Sequence, residues 1–583
     1  MTLKEQIFES LGIKDETEVE GWRNATYSCN KNISDKFLDL CKGSEKIIIL
    51  GDYDVDGIHA TFEAETGLKE IFPNKDFECL IPTRAEGYGL NQRLEDHCIE
   101  AAKDNKVTVI TVDTGITAKD RLEKMKEAGC IVILTDHHKL DDKSALPNVD
   151  LVIDPALSYL ECPFGEDNRN LCGAGVIFKI LENYLSLETR ERLNIYAGIA
   201  TIADVISLRG ISWQIVRRSL DLLHEGKGDK AITRLAEALG KDLDYISESD
   251  FGFYLCPAIN APGRILTDEE IPIIKDYVAK AAAEKFEASY PALIQDEGAM
   301  FVLNYYRQPS ESQATNLKYI NEYRKELVEK ETQIIIDKIE EENKGDCNPI
   351  WAYAPGLHKG IVGIIASAVE EKYKTSACIL TDAGNGLLSG SGRAYGNFNM
   401  YEYLNNHKGE FYKFGGHPGA AGFALLEENY HDMELFVTPK SDIIVESPEP
   451  IKILPDFIPY VEYITTPLRP FGEGFREPEY ITAVTQNLMK NNSNYVGSNK
   501  DHLTIKSADP KTKRKYKMMH FFHRNPEIDI EADTHKEDPF IGVGEVHMSY
   551  FKFKDRRTGE FVTIQTPEMT IKEIEEPEEE MER

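Results

Sequence analysis

Basic residues are scarce in this sequence relative to acidic ones: 67 Lys and Arg against 100 Asp and Glu, a formal net charge of -33. That balance excludes a chain coated in basic surface, so any phosphate-binding cleft must be locally positive or bridged by bound cations. Cys-x-x-Cys never occurs among the ten cysteines, which excludes a zinc ribbon or thioredoxin-type site and leaves them as small core residues. No run approaches the roughly 20 apolar residues of a membrane-spanning helix. Met1 to Gln6 lacks a basic-then-apolar leader, so the expected location is the cytoplasm, with no membrane partner. What is present, 41% hydrophobic and 29% charged residues over 583 positions, suits several soluble domains with sizeable cores.

The chain is organised around Gly51-Asp-Tyr-Asp-Val-Asp-Gly57, which follows the apolar run Ile47 to Leu50. Such a run between charge and glycine suits a buried parallel strand, and Asp52, Asp54 and Asp56 fall where it ends. Helical spacing over Ile58 to Phe72 completes a strand-loop-helix unit. Val107 to Val112 is a second β-branched run and ends at Asp113; Cys130 to Leu134 is another and leads to Asp136-His137-His138. Leu151 to Ile153 ends at Asp154-Pro155, where Asp154 reads as a turn residue. Strands alternating with helices predict an α/β, doubly wound parallel sheet. Its C-terminal edge would gather Asp52, Asp54, Asp56, Asp113, His137 and His138. Carboxylates with one or two imidazoles suit Mn²⁺ or Mg²⁺. Two such ions about 3.5 to 4 Å apart would make a phosphoryl-transfer centre.

The motifs Gly51 to Gly57, Val112-Asp-Thr-Gly115, Asp136-His-His138 and Ala203-Asp204-Val-Ile-Ser-Leu208, in this order, resemble those of the DHH phosphoesterase superfamily. Cys162-Pro-Phe164, Leu171-Cys-Gly-Ala-Gly-Val176 and Ile259-Asn-Ala-Pro-Gly-Arg264 are similar to signatures of its RecJ-type single-strand-specific exonucleases. The resemblance implies that Asp54, Asp56, Asp113, His137 and Asp204 hold two Mn²⁺ or Mg²⁺ ions, with Asp52 beside them as a further ligand or supporting group. It implies that His138 meets the scissile phosphate or orients the attacking water. Asp204 enters only through the resemblance, since Ala197 to Leu208 alone reads as a buried helix. Asn260 and Arg264, expected in a loop, would meet the substrate backbone.

Ser310 to Asn343 reads as a long connecting helix. Beyond it, His358 to Ala366 opens a helix, Gly390-Ser-Gly-Arg393 reads as a tight basic loop and Phe414 to Gly422 as a glycine-rich turn. Together these resemble the DHHA1 domain, which implies substrate contacts from Ser391, Arg393, Gly415, Gly416 and His417. Pro467 to Gly474 and the β-prone runs over Tyr480 to Ile564 resemble an OB-like barrel. There Lys511 to Lys517 with Phe521, Phe522 and His523 would follow and stack a strand.

The expected organisation is an N-terminal segment 1–42, a DHH domain 43–305, a connecting helix 306–345, a DHHA1 domain 346–430, a linker 431–465 around Glu446 to Pro450, an OB-like domain 466–570 and an acidic tail 571–583. The resemblance implies a monomeric 5′ to 3′ exonuclease that releases 5′-mononucleotides from single-stranded DNA in repair, recombination or replication. A single-strand-binding protein or a helicase would be its accessory partner. Two alternatives stand beside this: a phosphoesterase of short oligonucleotides or nucleotides, and a Cdc45-like component that binds single strands without cutting.

Overall fold

The computed structural model describes residues 1–583 except 88, 141, 268, 285–297, 434, 445–448, 486–487, 489–491, 497–501, 521–539, 555–560 and 576–583. Phe521, Phe522, His523, Glu446 and most of the acidic tail lie outside the described residues. The chain divides into two compact units. One comprises Ser28–Asp204 and Asp221–Ser447; the other comprises Met1–Tyr27, Val205–Leu220 and Pro448–Arg583.

The first unit is built on a five-stranded parallel sheet of β1 (Lys46–Leu50), β2 (Asp76–Leu80), β3 (Val107–Thr111), β4 (Ile131–Thr135) and β5 (Leu151–Ile153), in the order β2-β1-β3-β4-β5. Ile47 to Leu50 and Val107 to Thr111 are wholly buried, as continuous β-branched runs must be when helices cover both faces. The strand order reverses between β1 and β3, with Ile48 paired to Val109 and Leu50 to Thr111. At such a switch point the loops splay apart and leave a crevice beyond the strand ends. Asp52 follows β1 and Asp113 follows β3, so both line it.

The rest of this unit is helical up to Glu311–Glu341, a 31-residue helix capped by the Ser310 side chain on Gln313 N. A second sheet then runs in the order Phe411–His417, Ala420–Leu426, Leu387–Arg393, Ala377–Gly384, Ile350–Tyr353. Its core packs Trp351, Cys378, Leu380, Met400 and Phe423. Gly390 to Arg393, expected as a loop, lies within a strand. A Cβ on Gly390 would stand 2.7 Å from Phe423 Cζ and one on Gly392 2.6 Å from Met400 Sδ, so these glycines admit close packing and do not mark a turn. Phe414 to Gly422 is likewise a hairpin, with Gly415 paired to Gly422 and His417 to Ala420.

The second unit contains a seven-stranded sheet whose strands Phe540–Lys554 and Phe561–Glu575 run antiparallel for 15 residues each, longer than the short runs expected. All ten cysteines are free, and all but Cys347 are buried. Among the described residues, no helix is long and apolar enough to cross a membrane.

Candidate metal centre and anion cavity

Several elements place the carboxylates at the sheet edge. Asp54 caps the helix Val55–Ile71, its Oδ1 accepting from Gly57 N at 3.1 Å. Asp56, in the first turn of that helix, accepts from Gly173 N at 2.6 Å and Ala174 N at 2.8 Å. Those amides open the helix Gly173–Leu181, whose N-terminus favours negative charge. Asp113 sits in the left-handed region at φ 57, an uncommon conformation for a residue with a side chain. His137 Nε2 lies 3.0 Å from Asp113 Oδ1, 3.5 Å from Asp56 Oδ2 and 3.6 Å from Asp204 Oδ2. Asp204 arrives as the C-cap of the helix Leu187–Ala203.

The electrostatics favour bound cations. Burial, and then Asp54, push the Asp52 carboxyl well above its usual range, and neither of its oxygens has a hydrogen-bond partner. Burial, and then Asp56 and Asp54, raise Asp113 likewise and push Asp204 up to about 8. Burial lowers His137, keeping the imidazole neutral and able to donate a lone pair to a metal. Three overlapping groups have ligand atoms within 4.8 Å of one another: Asp52, Asp54 and Asp113; Asp56, His137 and Asp204; and Asp113, His137 and His138. Carboxylate oxygens with a neutral imidazole, two of those oxygens orphaned in the interior, fit Mn²⁺ or Mg²⁺. The predicted cluster is therefore brought together whole.

His138 differs from its neighbour. Burial works against its charge, but Nδ1 stands 2.7 Å from Asp136 Oδ1, and that carboxylate raises it to about 9. Asp136, fixed also by Ile116 N at 2.9 Å, was not singled out from the sequence as a site residue, although it closes β4 as Asp113 closes β3. Asp154 is buried beside it, one carboxylate oxygen accepting from Ala156 N and the other unpartnered.

Asn260 and Arg264 lie in a helix, Cys256–Ile265, in place of the expected loop. Pro262 is tolerated inside it, and Leu266 N still reaches Pro262 O at 2.9 Å. Asn260 Oδ1 accepts from Val55 N at 3.1 Å and so holds the aspartate loop from below. Arg264 lines a cavity of about 230 Å³ with Arg84, Lys359, Ser391 and Arg393. Burial, and then Arg84, Arg324 and Arg393, push the Arg264 guanidinium down to about 10. Burial lowers Arg393 too; it donates to Ser391 Oγ at 2.9 Å and Ser367 Oγ at 3.1 Å. Crowded guanidiniums, with no carboxylate among the described residues that line the cavity, make a site for an anion. Gly415, Gly416 and His417 do not line it; His417 is exposed at the end of its strand. Arg84 and Lys359 went unnoticed in the sequence. Arg84 had a signal: it follows β2 on the same edge as the aspartates.

Residues 46–205 match the model of the DHH family N-terminal domain, and residues 347–437 match that of the DHHA1 domain. The chain thus carries matches to both domain models, in that order. It is 30% identical over 490 residues to the single-stranded-DNA-specific exonuclease RecJ of Bacillus subtilis, an alignment covering 82% of this chain and 56% of that relative. The chain thus spans little more than half of that relative's length. A crystal structure of RecJ with Mn²⁺ from Thermus thermophilus has the same fold, at TM-score 0.68 and 21% identity over 98% of this chain and 75% of that one. An exonuclease RecJ bound to manganese aligns at TM-score 0.52 and 26% identity, over 70% of this chain and 93% of its own.

Proposed function

We propose that this protein is a metal-dependent exonuclease that hydrolyses single-stranded DNA from its 5′ end and releases 5′-mononucleotides. One observation carries the reading: a carboxylate-imidazole cluster and a cavity of four cationic side chains occur in one unit, joined by the helix Cys256–Ile265. Asp54 is close enough to Arg264 to act on its charge, and Asp52 to feel Arg84. A strand phosphate on the arginines would therefore have its neighbouring phosphodiester at the carboxylates.

Asp52, Asp54, Asp56, Asp113, His137 and Asp204 would hold the ions. Two divalent cations, when bound there, polarise the phosphodiester and activate the attacking water. Arg84, Arg264 and Arg393 would bind the phosphate beside the reacting one in fork geometry and so position the strand. His138, kept protonated at neutral pH by Asp136, can donate a hydrogen bond or a proton to a phosphate oxygen. The domain organisation set out from the sequence remains part of this proposal, as does monomeric action in the cytoplasm in repair, recombination or replication. The C-terminal sheet is assigned to the strand as an OB-like module. Its exposed hairpin turn at Lys511, Lys513, Arg514 and Lys515 supports that assignment.

The test uses single strands labelled at the 5′ or the 3′ end, with a blunt duplex as control, in Mn²⁺. The expected outcome is immediate release of mononucleotide label from the 5′ end alone, with the duplex spared. Binding without hydrolysis would overturn the reading and favour a non-cutting, Cdc45-like component. Turnover restricted to short oligonucleotides would favour the small-substrate phosphoesterase.

A further inference from the structure

The helix that carries Asn260 and Arg264 is buried on most sides, and what it leaves open forms a line. It begins with the wide turn Phe251–Leu255, a π-helical segment, and runs on to Ile265. Along this stretch Leu255, Ala258, Ile259, Ala261 and Ile265 are buried, whereas Pro257, Asn260 and Arg264 are half-buried. With Phe253 these recur at i, i+4, i+7 and i+11, which is one helical face. Phe253 is 74% exposed. Its neighbour Tyr254 is already occupied, with Lys241 Nζ 3.2 Å from the ring centroid.

The helix lies against the backbone that carries the carboxylates at both of its ends. A Cβ on Gly252 would stand 3.6 Å from Ile202 Cγ2, two residues before Asp204. At the far end a Cβ on Gly263 would overlap the carbonyl oxygen of Tyr53, which lies between Asp52 and Asp54. Arg264 then enters the anion cavity. From Phe253 to Arg264 the helix rises about 16 Å, room for several nucleotides of extended strand. A base stacked on this exposed ring would cover its apolar face. Wide helical turns of this kind are frequent at functional sites.

We propose that Phe253 is a stacking platform for a base of the single strand, several nucleotides inward from the phosphate held by Arg264 and Arg393. The inference rests on the nuclease reading. It adds that substrate length is sensed by one ring at the opposite end of the helix from the anion cavity. A short product would bridge from Arg264 to the cluster without reaching Phe253 and would be released; a longer strand gains the stacked base.

The experiment compares kcat/KM for a long single strand with that for a dinucleotide, in Mn²⁺, for the unaltered protein, Phe253→Ala and Phe253→Trp. The expected result is a fall of roughly tenfold in the long-to-short ratio for Phe253→Ala, carried by KM for the long strand and restored by Phe253→Trp. An unmoved ratio would overturn the proposal while leaving the nuclease reading intact. A second measurement needs no turnover: the tryptophan emission of Phe253→Trp, against the unaltered protein, on addition of oligothymidylate in EDTA. Quenching supports stacking; unchanged emission at saturating strand overturns it. If the unaltered protein cuts no single strand, the nuclease reading fails and the emission arm still decides the role of Phe253.

Discussion

Gly173 lies against Asp113 so closely that a Cβ on it would stand 2.9 Å from the Asp113 Cα. Only a hydrogen fits between that helix N-terminus and the backbone that aims the carboxylate. Gly173→Ala should therefore retain the fold, since alanine suits a helix better by up to about 1 kcal/mol, yet displace Asp113 from its left-handed conformation. The expected outcome is a loss of at least roughly tenfold in Mn²⁺ affinity by calorimetry with little change in far-ultraviolet dichroism, because overpacking a tight contact costs about 1 to 3 kcal/mol.

The repelling carboxylates make metal-free stability depend on pH with a definite sign. Asp204 is pushed up to about 8, and Asp52 and Asp113 are raised well above their usual range. The folded chain thus keeps protons that the unfolded chain gives up from about pH 4, so stability falls as pH rises from there towards 8. Metal binding needs the deprotonated groups, so the Tm gain from Mn²⁺ grows over the same window. Thermal melts in EDTA and in Mn²⁺ across pH 5 to 8 check this. Asp204→Asn should flatten the EDTA profile and shrink the Mn²⁺ gain; an unchanged profile would contradict the account.

Arg393 is braced by Ser391 and Ser367 so that its planar fork faces the cavity. A lysine keeps the charge and loses the fork. Arg393→Lys should raise KM for single strands by roughly tenfold with kcat much less affected, the loss of one charge-assisted pair worth about 1.5 kcal/mol. Equal loss in both constants would place Arg393 at the reacting phosphate instead.

One stability prediction lies behind the site. His59 is wholly buried, its Nδ1 2.9 Å from Tyr196 O and its Nε2 2.9 Å from Tyr306 Oη. Burial lowers it to about 4, so the ring is neutral, Nδ1–H donates to the carbonyl and Nε2 accepts from the tyrosine. Tyr306→Phe leaves Nε2 unsatisfied and should cost about 1 to 3 kcal/mol in chemical denaturation at pH 7. In the unaltered protein this ring contributes stability that is complete above about pH 6.5 and is lost as pH falls towards 4.

The parts of the site that the sequence disclosed are those that end strands. Asp52, Asp113 and His137 each follow a β-branched run, and burial on both faces is what makes such runs continuous. Asp204 follows a helix, where helical spacing gives no reason to expect a ligand, and only the family motif marked it. Lys359 carries no local pattern and Arg84 only its place after β2, because their role comes from two sheets meeting over one cavity. Pro262, Gly390 and Gly392 stand in segments expected as loops that fold as a helix and a strand. The helix absorbs Pro262 near its C-terminal end, and the two glycines make room for Phe423 and Met400. Phe253 escaped notice because a lone aromatic is ordinary until the burial of its helix shows it on an open face.

On the proposed function, these carboxylates work through bound metal on a single strand. Mn²⁺ titration of chelator-stripped protein, followed in parallel by calorimetry and by release of 5′-labelled mononucleotide, tests it most directly against Asp113→Ala. The account predicts two bound ions per chain, turnover that rises with their occupancy, and loss of both in the variant. Hydrolysis that persists in chelator, or that survives Asp113→Ala unchanged, would contradict it.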